Sequence, residues 1–264
     1  MRLCYISITE EEVTRPYLAI LEKVFSKLPK RDTEIVIKSV KPGLRRGADP
    51  AIPYFALLNK VQIVEKVLEA EKEGYDAAVI GCFSDPAVLE ARGLVNMPVV
   101  GLCEPTLLFA CLLGHKFGVV TLNEPRALLE LELMIRMYGL EHRAILNPIR
   151  AISMPSIELF TKGMECPGIV AGDILEKAKR CVEDGAEVIV LGCNALGPLC
   201  TISGVATVEG ADAPILDCVS VSIICTEAIV SLNKGLGVPF VSRTGSYSLP
   251  RIKDLQRVRT QFGL

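Results

Sequence analysis

Apolar positions along this 264-residue chain recur in two rhythms that alternate from end to end. Short, nearly continuous apolar runs, RLCYISI at 2–8 and EIVIKSV at 34–40, predict β-strands buried on both faces. Between them, residues 15–28 (RPYLAILEKVFSKL) place apolar side chains at 18, 21, 24, 25 and 28, the spacing of an amphipathic helix. KPGLRRGADP at 41–50 reads as a turn-rich loop, and residues 55–72 as a long helix stopped by Gly74. A strand at 76–80, a short helix at 86–92 and the strand PVVGL at 98–102 complete the series.

The same order then begins again. KFGVVTL (116–122) matches the first strand and PRALLELELMIRMYGL (125–140) the first helix. RAILNPI (143–149) is a strand, 168–184 a helix ending near Gly185, and 187–191 a strand, while PILDC (214–218) matches PVVGL. Corresponding pieces are offset by about 109–116 residues, which reads as an internal duplication. Strands with few polar positions, joined by helices, imply parallel sheets covered on both faces.

The expected fold class is therefore α/β. Two pseudo-duplicated domains each carry a parallel sheet flanked by helices, with the active site in the cleft between them. A helix at 219–233 follows the second series. Packed back on the first half, it divides the chain into residues 1–102 plus 219–264 and residues 103–218, sizes that suit two domains.

One detail of the duplication carries chemistry. GYDAAVIGC (74–82) and GAEVIVLGC (185–193) share a frame that ends each apolar strand on Gly-Cys. In parallel α/β sheets, ligands bind beyond the carboxyl ends of the strands, where Cys82 and Cys193 stand. Ser84 or Asp85 is placed to cap a following helix with Pro86 as its first residue, and Pro198 suggests the same arrangement in the second half. Helix N-termini lower a thiol's pKa, so thiolate character is expected at this pair.

The other cysteines do not share that setting. Of the ten, Cys4, Cys111 and Cys225 lie within apolar runs and read as buried filler. No pair has C-x-x-C spacing, and two histidines offer little to a zinc site, so no metal is expected. A net charge of −2 and the absence of Trp argue against nucleic acid, and neither a secretory signal nor an uninterrupted membrane span is apparent. A cytoplasmic protein acting on a small molecule is expected, with helix 125–140 apolar enough for homo-oligomer contacts.

Two thiols facing each other across a cleft suit inversion at a carbon beside a carbonyl. A thiolate removes the α-proton from one face and a thiol returns a proton to the other. Backbone N–H groups just after each cysteine are placed to hold the enolate-like charge.

At these residues the chain resembles the aspartate/glutamate racemase superfamily, and within it the hydantoin and allantoin racemase branch. GCFSDPAVLEAR (81–92) is similar to that branch's Gly-Cys-Phe-Gly-Asp-Pro segment, and PVVGLCEP (98–105) to its Pro-Val-Val-Gly-x-x-Glu stretch. GVVT (118–121), RAISMP (150–155), VIVLGC (188–193), PILDCV (214–219) and SRTGSYSLP (242–250) fit as well. The resemblance implies a cofactor-independent racemase with Cys82 and Cys193 as acid and base. It further implies that Ser7, Phe83, Ser84, Thr121, Asn194 and Ala195 line the substrate site.

Two loops depart from the pattern. SITEEEVT (7–14) stands where the family has an Asn-Pro-Asn-Thr type loop, and Asn194-Ala195-Leu196-Gly197 replaces a Gly-Met-Ala type sequence. The substrate accepted is therefore open among hydantoin, allantoin and amino acids. Glu10 to Glu12 read as an acidic helix start in preference to a receptor for a cationic group. The alternatives are a two-lobed metabolite-binding protein and an isomerase or decarboxylase of the same superfamily. A cysteine-nucleophile amidase would need His115 or His142 beside a thiol, and both read as loop residues.

Overall fold

The computed structural model describes residues 1–28 and 32–264. The first series runs β1 (Arg2–Thr9), α1 (Glu11–Lys27), β2 (Glu34–Leu44), α2 (Pro53–Lys72), β3 (Ala77–Ile80), α3 (Val88–Arg92) and β4 (Val99–Val100). After α4 (Cys103–Leu113) come β5 (Phe117–Asn123), α5 (Pro125–Met137), β6 (Ala144–Pro155) and α6 (Ser156–Glu158). Then follow α7 (Pro167–Glu183), β7 (Val188–Leu191), α8 (Leu196–Ile202), β8 (Thr207–Val208) and β9 (Ala213–Asp217). The chain closes with α9 (Cys218–Leu236) and α10 (Ile252–Gln261).

The strand order β2-β1-β3-β4 of the first sheet returns as β6-β5-β7-β9 in the second, where β8 adds an antiparallel edge. Leu3 pairs with Ile35 and Ala77, and Phe117 with Ala144 and Val188, in parallel ladders. The fold is α/β, and its two sheets repeat one topology.

Period-two alternation divides each strand between two cores. Leu3, Tyr5 and Val79 face a central core that also takes Phe117, Val119 and Val190 from the second sheet. Cys4, Ile6 and Ile80 face an outer core under α2, and Ile189 and Leu191 face another under α7. Burial on both faces explains why neither series shows alternating polar positions.

Two helices cross between the sheets. α4 leaves β4 and packs on β7 and β9, while α9 leaves β9 and packs on β3 and on α4. On that exchange we propose the division into 1–102 plus 219–264 and 103–218. By length and composition α9 would suffice to cross a membrane, a property that counting uninterrupted apolar residues passes over because Glu227 and Lys234 break the run. Here Val219, Ile223 and Val230 bury its inner face in the central core.

Some boundaries differ from the sequence expectation. Residues 41–44 extend β2, with Thr9 paired to Leu44, because an edge strand tolerates Pro42 and Gly43. α4 gave little periodic signal, since it buries Leu107 and Ala110 while leaving Leu108, Leu112 and Leu113 exposed. α10 buries none of its residues.

Candidate active site

Each cysteine is delivered to the cleft by a glycine that cannot carry a side chain. The amide of Gly81 donates to Ile6 O (2.9 Å) and that of Gly192 to Val120 O (2.8 Å), extending the ladders beyond β3 and β7. A Cβ at Gly81 would lie 2.6 Å from the Tyr5 ring, and one at Gly192 would lie 2.6 Å from Val119 Cγ1. The chain turns immediately afterwards, so the next side chain is the first free to face the opening.

One cavity of about 130 Å³ receives both thiols. Cys82, Phe83 and Ser84 border it from the first half, and Gly192, Cys193 and Asn194 from the second. Ser7 at the end of β1 and Arg45 after β2 add polar edges, while Ile8, Leu131, Phe160 and Met164 make much of the wall apolar.

Among the residues expected on the substrate, Ser7, Phe83, Ser84 and Asn194 thus meet the two thiols at one surface. Thr121 and Ala195 lie behind it. Thr121 is fully buried, and its hydroxyl donates to Gly192 O (2.9 Å), bracing the loop that carries Cys193. Ala195 is also fully buried and turns its N–H toward Cys193 Sγ (3.5 Å). Neither His115 nor His142 borders the cavity.

The expected depression of the thiol pKa values does not occur. Burial pushes Cys82 up to about 12; the Ser84 hydroxyl (3.3 Å) and amide oppose it, and the Glu130 carboxyl and Cys193 add to it. Burial likewise raises Cys193, against the pull of the Ala195 and Leu196 amides. Desolvation outweighs the local dipoles because both sulfurs sit against apolar walls. The first-half helix starts only at Val88, after Asp85 and Ala87 in left-handed conformations, too far from Cys82 to act as its dipole. The amides of Ser84 and Ala195 are directed at sulfur, so they favour each thiolate instead of holding an enolate oxygen.

Of the acidic residues expected to start a helix, Glu11 and Glu12 do so and Glu10 does not. Glu10 is buried and accepts from Gly43 N (3.1 Å) and Arg45 Nε (2.7 Å), and the hydrogen bond from Arg45 holds its carboxyl below the ordinary range. Glu10 is therefore already neutralised, while Glu11 and Glu12 are exposed in the first turn of α1. Glu130 on α5 is the acid that reaches the cavity. It is half-buried, burial pushes its carboxyl up, and it has no hydrogen-bond partner among the described residues. Sequence reasoning missed it because LLELELMI stands out for its apolar residues, which point to a packing face, and nothing in the spacing singles out Glu130.

Comparison with known proteins agrees with this architecture. The Asp/Glu/Hydantoin racemase family model matches residues 14–226. Hydantoin racemase of Pseudomonas sp. (strain NS671) is 35% identical over 177 residues, 67% of either chain. Hydantoin racemase of Rhizobium meliloti is 34% identical over 154 residues, 58% of this chain and 59% of that relative, so the match spans under two thirds of its length. The crystal structure of allantoin racemase from Pseudomonas fluorescens shares the fold, with a TM-score of 0.75 at 24% identity over 95% of this chain and 97% of that one. The chain belongs to the Asp/Glu/Hydantoin racemase family.

Proposed function

We propose that this protein is a cofactor-independent racemase of a small carbonyl-activated substrate, a 5-substituted hydantoin or close relative, acting in the cytoplasm. The observation that carries this reading is that Cys82 and Cys193, one from each half, border the same cavity. One sulfur, as thiolate, takes the proton from the carbon beside the carbonyl. The other, as thiol, gives its proton to the opposite face. The sulfurs exchange roles for the other enantiomer, and no net proton is consumed. Acid–base help of this kind is typically worth about 10²–10⁴-fold.

The resting thiols are costly to ionise, and the amides aimed at each sulfur reduce that cost when one must act as base. The apolar wall of Leu131, Phe160 and Met164 favours an apolar substituent on the hydantoin over the polar ureido group of allantoin.

Polarimetry on single enantiomers of 5-substituted hydantoins, allantoin, aspartate and glutamate tests the reading. Decay of rotation to zero is expected for an apolar 5-substituted hydantoin after dialysis against a chelator. Saturable binding with unchanged rotation across the panel would mark a binding protein instead.

A further inference from the structure

A hydrogen-bond chain crosses the cleft beside the second thiol. Tyr17 stands on α1 of the first half, and Asn194 follows Cys193 in the second. The Tyr17 hydroxyl donates to the Asn194 carbonyl oxygen (3.1 Å) and accepts from Asn194 Nδ2 (3.2 Å). Tyr5 Oη lies 3.1 Å from Tyr17 Oη, and both tyrosines are buried.

Counting protons orients the amide. Among the described residues the Tyr5 hydroxyl has only Tyr17 as a partner, so its proton goes there. Tyr17 then has one proton, already given to the Asn194 carbonyl, and its oxygen accepts from Tyr5 and from the amide. The amide must therefore turn its NH₂ to Tyr17 and its oxygen away. That oxygen, Oδ1, faces Cys193 Sγ at 3.8 Å. A carbonyl oxygen accepts weakly from S–H and repels S⁻. Ala195 N–H on the same sulfur has the opposite preference.

We propose that Tyr17 is a positioning residue which, from across the cleft, fixes the Asn194 amide with its oxygen toward Cys193 and so sets how readily that thiol releases its proton. For the racemisation proposed above, on which its catalytic meaning rests, this matters because each thiol must serve as acid in one direction and base in the other. The Asn194 oxygen offsets the amides that favour the Cys193 thiolate.

The test follows alkylation of each cysteine by iodoacetamide across pH, resolved by peptide mass spectrometry. It needs no substrate, so its outcome is independent of whether the protein racemises hydantoins. In Tyr17→Phe the amide is free to turn, and the Cys193 midpoint is expected to fall by about half to one pH unit, the worth of one neutral hydrogen bond. The Cys82 midpoint should stay in place. Asn194→Ala should lower the Cys193 midpoint as well, and adding Tyr17→Phe to it should change nothing more, because the two act through one network. An unmoved Cys193 midpoint in Tyr17→Phe overturns the proposal, as does an equal fall at Cys82, which would mean general loosening. Should Tyr17→Phe not fold, Asn194→Ala combined with Tyr5→Phe carries the test. Additive shifts in that pair would overturn the chain.

Discussion

Asp85 and Asp217 cap the two crossing helices at corresponding joints of the two halves. Asp85 reaches over from the Cys82 loop, and its carboxylate accepts from Leu102 N (2.6 Å), Cys103 N (2.9 Å) and Glu104 N (2.9 Å) at the start of α4. Asp217 caps α9 as the residue immediately before it, accepting from Val219 N (3.0 Å) and the hydroxyls of Ser220 and Thr201. Each carboxylate lies against a glycine, Gly101 for Asp85 and Gly197 for Asp217, where an added Cβ would approach an oxygen to 2.1 Å. When PVVGLC is aligned with PILDCV, Gly101 falls at the place of Asp217. The duplication has kept the joint and exchanged which side carries the acid.

Asp85→Ala strips three backbone amides of their acceptor at once. It is expected to destabilise the fold by about 3 kcal/mol or more, since each buried donor left unsatisfied costs about 1–3 kcal/mol. Gly197→Ala should cost a similar amount by displacing Asp217. Urea midpoints read both, and an unchanged midpoint for Asp85→Ala would show that this cap contributes nothing.

Cys82→Ser and Cys193→Ser should each reduce racemisation by about two to four orders of magnitude. In deuterated water each variant should still exchange the α-proton of one enantiomer faster than that of the other, with opposite preferences. NMR of recovered substrate checks this. Full turnover in either variant would end the two-thiol scheme.

Glu130→Gln removes a negative charge that helps to hold Cys82 protonated. The Cys82 alkylation midpoint should fall by roughly half to one pH unit, with Cys193 much less affected. A rise at Cys82 would place the dominant effect of Glu130 elsewhere.

Cys4, Cys82 and Cys200 are each pushed by burial up to about 12, against 9.0 for an unperturbed thiol. Between those values the folded state keeps protons that the unfolded chain has lost. Stability from these groups is therefore complete below about pH 9 and is lost as pH rises toward 12. Thermal scans should show a level Tm up to that point and a steep fall above it. Cys4→Ala, remote from the cavity, should flatten the fall; an equally steep slope would mean that other groups govern it.

Much of this was legible in the chain because the strands carry their own boundaries. GYDAAVIGC and GAEVIVLGC announce the strand, the ligand-facing end and the thiol together, and the repeat of element order reappears as a repeat of strand order. What remained illegible depends on distance in sequence. Nothing near Asp85 reveals that its carboxylate serves amides 17 to 19 residues on. Glu130 carries no local mark of facing a cavity. The thiols' proton affinity was misjudged because helix-start signals are local, whereas desolvation is imposed by side chains from the whole cleft.

The central core has a mechanical consequence. Because Leu3 and Val79 share one apolar mass with Val119 and Val190, and α4 and α9 are exchanged across it, neither half can shed the other without exposing its inner face. Denaturation should thus proceed as a single cooperative event, with no surviving half-molecule. Any breathing that admits a substrate must be a tilt about the helix pair, small enough to leave that mass intact.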